Sequence, residues 1–132
     1  MIKIFITLLM LPISWVALVT HAEAPLQEEA YKELKTEWTT DEVKELVNIY
    51  ADKYGVSRAT LQSVVSCESG YNHKAIGDGG KSFGAVQIHN PSHPKITREQ
   101  AENAEFALNF LAENVSKGKG SMWTCYRKLA KV

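Results

Sequence analysis

Residues 67–88 read CESGYNHKAIGDGGKSFGAVQI, and this stretch marks where a regular helix gives way to an irregular segment. Upstream of it, apolar residues recur at helical spacing after Ser57, a favourable N-cap. The pattern predicts a helix that ends near Gly70, because helices commonly end at a glycine in the left-handed conformation. Several glycines follow between residues 77 and 84. They predict a long irregular loop over residues 71–94. Such a loop can bring backbone close to a ligand, although glycine-rich turns are also common without one.

Three more helices are predicted around this stretch. One follows a capping box formed by Thr39 and Glu42 and closes at Gly55. Another starts at a second capping box at Thr97, and its apolar stripe predicts one continuous helix as far as Val115. A short last helix follows the glycines at positions 118 and 120. The predicted fold class is therefore mainly α: a compact helical domain with one long irregular loop.

The N-terminus has the order of a secretory signal peptide. Lys3 supplies a positive start, residues 4–19 are almost wholly apolar, and small residues follow. We expect cleavage after Ala22, because a cut after Ala24 would leave Pro25 beside the scissile bond. The alternative is an uncleaved membrane anchor, since the apolar run is near the lower limit for a spanning helix.

The predicted organisation is a signal peptide over 1–22, a polar lead-in over 23–38 and one folded domain over 39–132. The hydrophobic fraction of 45% makes a buried core feasible. The formal net charge is zero, so the sequence lacks the overall positive charge that is typical of nucleic-acid-binding proteins, and no nucleic acid is expected as a partner. The sequence has no CxxC motif and only four scattered histidines, so neither a metal site nor a cofactor is expected.

Cys67 and Cys125 are the only cysteines in the sequence. In the oxidising compartment that export implies, two thiols tend to form a disulfide. Two separately buried thiols are the alternative that the residues alone leave open.

Glu68 is the candidate for chemistry, since it lies on the same predicted helix face as Leu61 and Val65. A carboxylate on an apolar face is costly unless it is partnered or protonated. Burial and the negative end of the helix dipole would both raise its pKa, as a general acid near neutral pH requires. Periodicity alone favours a structural role instead, capping a turn or pairing with Lys74 or Lys81.

The stretch quoted above resembles the soluble lytic transglycosylase domain, a family of the lysozyme-like fold. The family's Glu-Ser pair matches Glu68 and Ser69, and its Gly-Leu-Met-Gln-Ile element is similar to residues 84–88. A third family element is similar to residues 103–111. The resemblance covers about residues 41–129, and it implies a lysozyme-like α+β domain that cleaves peptidoglycan.

The resemblance also implies roles for single residues. Glu68 would be the catalytic acid and base, while Ser69 and Gln87 would hydrogen-bond the substrate. Tyr126 would hydrogen-bond the Glu68 carboxyl, although the family's Ala-Tyr-Asn-x-Gly motif is replaced here by Thr-Cys-Tyr-Arg-Lys. A disulfide between Cys67 and Cys125 would then tie the acid to this tyrosine.

The implied reaction is non-hydrolytic cleavage between N-acetylmuramic acid and N-acetylglucosamine, with a 1,6-anhydro product. Its partners would be peptidoglycan strands and an envelope-spanning machine, in the periplasm or outside the cell, with no membrane contact after signal cleavage. One alternative is a hydrolytic muramidase in which Asp78 assists Glu68, although Asp-Gly is also an ordinary turn signal. The other is a catalytically silent glycan-binding component of a secretion, conjugation or phage apparatus.

Overall fold

The computed structural model describes residues 35–131. The predicted signal peptide and the first part of the polar lead-in lie outside the described residues. The described chain is mainly helical, as the sequence predicts, and forms one compact unit that begins at Lys35. Its α-helices are α1 (Thr40–Tyr54), α2 (Arg58–Ser69), α3 (Arg98–Glu102), α4 (Ala104–Ser116) and α5 (Thr124–Leu129).

The segment predicted as an irregular loop contains a small antiparallel sheet. Its strands are β1 (Ile76–Gly77), β2 (Ser82–Phe83) and β3 (Ile88–His89), paired in the order β1-β2-β3. Phe83 is the central residue, since it pairs with Ile76 on one side and with Ile88 on the other. A short 3₁₀ turn, Asn90–Ser92, follows the sheet. Strands of two residues are too short to produce a period-2 pattern, so sequence periodicity does not reveal them.

The predicted ends of α1 and α2 are confirmed. Thr39 and Glu42 form the reciprocal capping box, and the Ser57 hydroxyl accepts the N–H of Thr60. Gly70 ends α2 with φ +61°, a left-handed conformation that favours a residue without a Cβ. The end of α2, which carries Glu68, is therefore fixed by local chemistry.

The prediction of one continuous helix from Thr97 to Val115 is wrong at Asn103. Asn103 has an extended ψ of 114°, ends α3 and begins α4, and its side chain accepts the N–H of Phe106. Asparagine is among the best N-cap residues because its side-chain oxygen satisfies a free helix N–H. The apolar stripe continues across the break, which explains why periodicity alone does not detect it.

The core lies where α1 packs against α2 and α4. Its fully buried side chains include Val43, Val47, Leu61, Val64, Val65, Leu108 and Leu111. The loop after the sheet's second strand contributes Ala85 and Val86, so the same core supports the cleft described below. Within residues 35–131, no helix is long and apolar enough to cross a membrane.

Trp38 anchors the start of the described chain to the body. Its ring is nearly buried, and its backbone N–H donates to Nε2 of the buried His73 at 3.2 Å. Nδ1 of His73 lies 3.0 Å from the carbonyl oxygen of Glu102. Because a carbonyl only accepts, Nδ1 donates to it in this arrangement, while Nε2 accepts the Trp38 N–H.

Candidate active site

An open cleft of about 560 Å³ lies between the end of α2, the sheet and the start of α5. Glu68, Asp78 and Gln87 line it together with Trp123. The remaining lining residues are Lys81, Ser82, His89, Ser92, Met122 and Thr124. The cleft thus brings together two of the predicted site residues, Glu68 and Gln87, from segments that are separate in the sequence.

The Glu68 carboxylate reaches across the cleft wall to α5. Its Oε1 accepts the backbone N–H of Cys125 at 3.1 Å. Cys125 lies in the first turn of α5, where backbone N–H groups have no partner within the helix. Glu68 therefore caps a helix start, one of the structural roles considered from the sequence, and the helix that it caps is α5. Lys74, considered there as an ion-pair partner of Glu68, pairs with Glu37 instead.

Burial raises the pKa of the Glu68 carboxyl above its usual value. The Cys125 N–H acts in the opposite direction, because it stabilises the charged form. The negative charge of Asp78 raises the pKa further, and the positive charges of Lys128 and Arg127 lower it. The net shift is upward, in the direction required of a carboxyl that donates a proton near neutral pH.

Cys67 and Cys125 form a disulfide, and the residues described include no free cysteine. The bond joins α2 to α5 with a Cα–Cα distance of 6.0 Å. Cys67 directly precedes Glu68, and Cys125 supplies the N–H that Glu68 accepts. The disulfide therefore holds the acceptor and its donor at a fixed separation.

Asp78 occupies the turn between β1 and β2 and also lines the cleft. Its φ of +51° is left-handed, a conformation that aspartate tolerates better than most residues. The Ser82 hydroxyl donates a hydrogen bond to its carboxylate. The turn role favoured from the Asp-Gly pair is thus confirmed, and the same turn places a second carboxylate in the cleft that Glu68 lines.

Gln87 lines the cleft but uses its amide within the protein. Its Nε2 donates to the carbonyl oxygens of Ala75 and Gly84 at 3.1 and 3.0 Å. Its Oε1 lies over Gly77 so closely that a Cβ at that position would collide with it. These contacts join Gln87 to the backbone on both sides of strands β1 and β2. Any substrate contact by Gln87 therefore comes from a side chain whose position is already fixed.

Ser69 does not line the cleft. Its hydroxyl donates to the carbonyl oxygen of Ala85 at 2.6 Å, which ties the end of α2 to the loop after β2. The hydroxyl also lies 3.3 Å from the Val65 carbonyl oxygen. Ser69 therefore positions the segment that follows Glu68, and its hydroxyl is occupied by these backbone contacts.

Tyr126 differs from the expectation based on family resemblance. Its ring packs against Gly120, where a Cβ would overlap the ring, and among residues 35–131 it makes no hydrogen bond to Glu68. The ring is held against Gly120, and the Glu68 carboxylate accepts the Cys125 N–H instead. The preceding residue thus supplies the orienting donor, and a backbone donor leaves no signal in side-chain patterns.

Trp123 forms the boundary between the cleft and an adjoining recess of about 270 Å³. Its indole N–H donates to the Val86 carbonyl oxygen at 2.8 Å, which fixes the ring with 5% exposure. Phe110 and His93 line the recess beyond it. The cleft therefore continues into a more apolar end, with Trp123 as a rigid wall.

Lys81, His89 and Ser92 also line the cleft. Of these three, the sequence marks only Lys81, as an alternative ion-pair partner of Glu68. The His89 Nδ1 lies 2.8 Å from the Ser92 hydroxyl. No motif selects His89 or Ser92, which reach the cleft through strand β3 and the 3₁₀ turn that follows it. Within the described part of the chain, no group of three or more potential ligands could hold a metal ion.

Backbone strain is concentrated at this site. The only non-glycine residues with left-handed φ in the described chain are Tyr71, Asp78 and Gln87, and two of them line the cleft. Such conformations cost free energy and are retained where surrounding contacts enforce them, often at functional sites.

Comparisons of the chain with models of protein families, with curated proteins and with solved structures find no match.

Proposed function

We propose that this protein is a lytic transglycosylase that cleaves peptidoglycan glycan strands, with Glu68 as its catalytic acid and base. The observation that carries the proposal is a half-buried carboxyl whose pKa is raised by burial and which faces an open cleft. The strained residues beside it, Asp78 and Gln87, add support. The resemblance of residues 67–88 to the family motifs supplies the substrate class, and we propose a lysozyme-like fold on the same basis.

The proposed reaction needs one carboxyl group. Glu68 donates its proton to the glycosidic oxygen between N-acetylmuramic acid and N-acetylglucosamine, and the bond from that oxygen to the anomeric carbon breaks. The substrate's own acetamido oxygen stabilises the anomeric centre. The Glu68 carboxylate then removes the proton of the C6 hydroxyl, whose oxygen bonds to the anomeric carbon of the same sugar. Attack within one ring has a high effective concentration, so no positioned water is required.

Export to the periplasm or the exterior is part of the proposal. The Cys67–Cys125 disulfide supports it, because such bonds persist in oxidising compartments and are rare in the cytosol. The predicted signal peptide points in the same direction. Peptidoglycan is reached from that compartment, and an envelope-spanning machine is the proposed setting.

Asp78 favours a hydrolytic muramidase as the second candidate. It lines the same cleft as Glu68 and its charge acts on the Glu68 pKa. Glycosidases that use water normally need two carboxyl groups on either side of the scissile bond, one as the acid and the other as the base or nucleophile. Asp78 is exposed and already accepts the Ser82 hydroxyl, which is why we rank this reaction second.

Release of soluble muropeptides from purified sacculi tests the proposed function. We expect release by the oxidised wild-type protein and loss of release in Glu68→Gln, which preserves an oxygen acceptor for the Cys125 N–H. Circular dichroism of both proteins controls for folding. Equal release by the two proteins would rule out Glu68 as the acid.

A further inference from the structure

A second groove, of about 430 Å³, lies where α1, α3 and α4 meet. It shares no lining residue with the Glu68 cleft among the described residues. Its apolar surface comes from two half-buried rings, Tyr50 and Phe106. Asn103, where α3 ends and α4 begins, is one of its lining residues.

Three amide side chains in the groove share one orientation of their donors and acceptors. Gln100 Oε1 accepts the Thr97 N–H, and Asn103 Oδ1 accepts the Phe106 N–H. Each amide must present oxygen to those donors, so its NH₂ group points away from them.

Asn109 follows the same rule. Its Oδ1 accepts both the Tyr54 hydroxyl, at 2.8 Å, and the Lys53 ammonium, at 3.1 Å. An ammonium only donates, so the assignment of oxygen is fixed. None of the three NH₂ groups has a hydrogen-bond partner among residues 35–131, so the three amides that line the groove each keep an unused donor group.

Two carboxylates add acceptors to these donors. Glu99 and Glu105 both line the groove, and within the described chain neither forms an ion pair. Burial, and secondarily Glu105, raise the pKa of the Tyr50 phenol, so that it keeps its proton and remains a donor. The groove thus combines amide donors, carboxylate acceptors and aromatic faces.

We propose that this groove binds an uncharged pyranose sugar, as a second glycan site separate from the Glu68 cleft. Adjacent sugar hydroxyls accept from amide NH₂ groups and donate to carboxylates, and the C–H face of the ring packs on aromatic side chains. Glu99 and Glu105 disfavour an anionic ligand by charge repulsion. Concave sites with aromatic walls and a few convergent polar groups are typical of small-ligand binding.

The test is an NMR titration of the full-length, oxidised Glu68→Gln protein with the β-1,4-linked tetramer of N-acetylglucosamine. We expect backbone amide shifts at Asn103 and Glu105 that saturate with sugar. Tyr50→Ser should weaken this binding about tenfold, whereas Ile49→Ser, an exposed neighbour outside the groove, should change it less than about twofold. Glu99→Lys is a second variant with no core contact and should also weaken binding.

Shifts confined to the cleft residues, or unaltered groove binding in Glu99→Lys, would overturn the proposal. So would a groove that responds to a lysine-containing peptide and not to the sugar. Because the titration uses a protein without the Glu68 acid, groove binding is measured independently of cleavage. A wild-type protein that binds in the groove but releases no muropeptide would refute the proposed function and leave this inference standing.

Discussion

Glu42 and Glu68 are the same residue type at opposite ends of neighbouring helices. Glu42 lies in the first turn of α1, where it accepts hydrogen bonds from the Lys35 ammonium at 2.7 Å and from the Thr39 N–H at 2.8 Å. These bonds lower the pKa of Glu42 to about 2. Glu68 lies in the last turn of α2, accepts one N–H, and has its pKa raised by burial.

The difference separates a carboxylate with a structural role from one that we propose to act in catalysis. At Glu42 the surroundings stabilise the charged form, so the residue caps the start of α1 and stays ionised down to its lowered pKa. At Glu68 the surroundings disfavour the charge, and the carboxyl faces an open cleft of about 560 Å³. A raised pKa combined with access is what allows a carboxyl to donate a proton and take it back.

The largest effect that we expect from this comparison is on catalysis. Glu68→Gln should lower muropeptide release by a factor of about 10² to 10⁴, the usual contribution of a general acid. Glu42→Gln is the matched control and should release muropeptides at a rate near that of the wild type. If the two variants lost activity to the same extent, the contrast between the two sites would have no functional meaning.

The next effect concerns the disulfide that holds α5 against Glu68. Replacing both Cys67 and Cys125 with alanine should lower the free energy of unfolding by about 2–4 kcal/mol, because the unfolded chain regains the freedom of a long loop. Chemical denaturation measures the loss. Activity should fall as well, since the Cys125 N–H is no longer held at the carboxylate; full activity in a stably folded variant would contradict this positioning role.

A smaller effect is the dependence of stability on pH, with opposite signs at the two glutamates. The folded-state pKa of Glu42 lies below its ordinary value of 4.5, so its contribution is present above pH 4.5 and is lost as pH falls toward about 2. The folded-state pKa of Glu68 lies above 4.5, so its contribution is present below that pH and is lost as pH rises.

Unfolding curves of the two glutamine variants across this pH range measure these contributions. Relative to wild type, Glu42→Gln should lose stability at neutral pH and little near pH 2. Glu68→Gln should remove the decline in stability that its carboxylate causes as pH rises. Two variants with parallel pH profiles would show that burial does not separate the two carboxyls.

The smallest effect is expected at Asp78, the other carboxylate of the cleft. Asp78→Asn should leave the rate of muropeptide release within a few-fold of wild type, because the proposed reaction uses only Glu68. The amide retains an oxygen for the Ser82 hydroxyl, so the turn should persist. A loss as large as that of Glu68→Gln would assign Asp78 a direct part in the reaction and favour the muramidase.

Much of the fold follows from local sequence. Ser57 and Gly70 mark the ends of α2 because capping is local chemistry, and the prediction needed no tertiary information. The break at Asn103 was missed because the apolar stripe runs through it, although asparagine as an N-cap was a usable signal. Sequence periodicity does not reveal the three strands, because a strand of two residues is too short to show a repeating pattern.

The site was predictable only in part. Glu68 and the disulfide followed from motif resemblance and from the cysteine count, and the structure contains that disulfide. The occupied hydroxyl of Ser69 and the packing of Tyr126 depend on tertiary contacts, to Ala85 and Gly120, that no local pattern encodes. The Cys125 N–H at the carboxylate is a backbone donor, and the sequence does not display it.

The central claim is that Glu68 cleaves the glycan without water, and the most direct test is mass spectrometry of muropeptides released by the wild-type protein in H₂¹⁸O. Attack by the C6 hydroxyl predicts 1,6-anhydro ends, each lacking one water, with no ¹⁸O incorporated. Reducing N-acetylmuramic acid ends that carry ¹⁸O would contradict the account and identify a hydrolase.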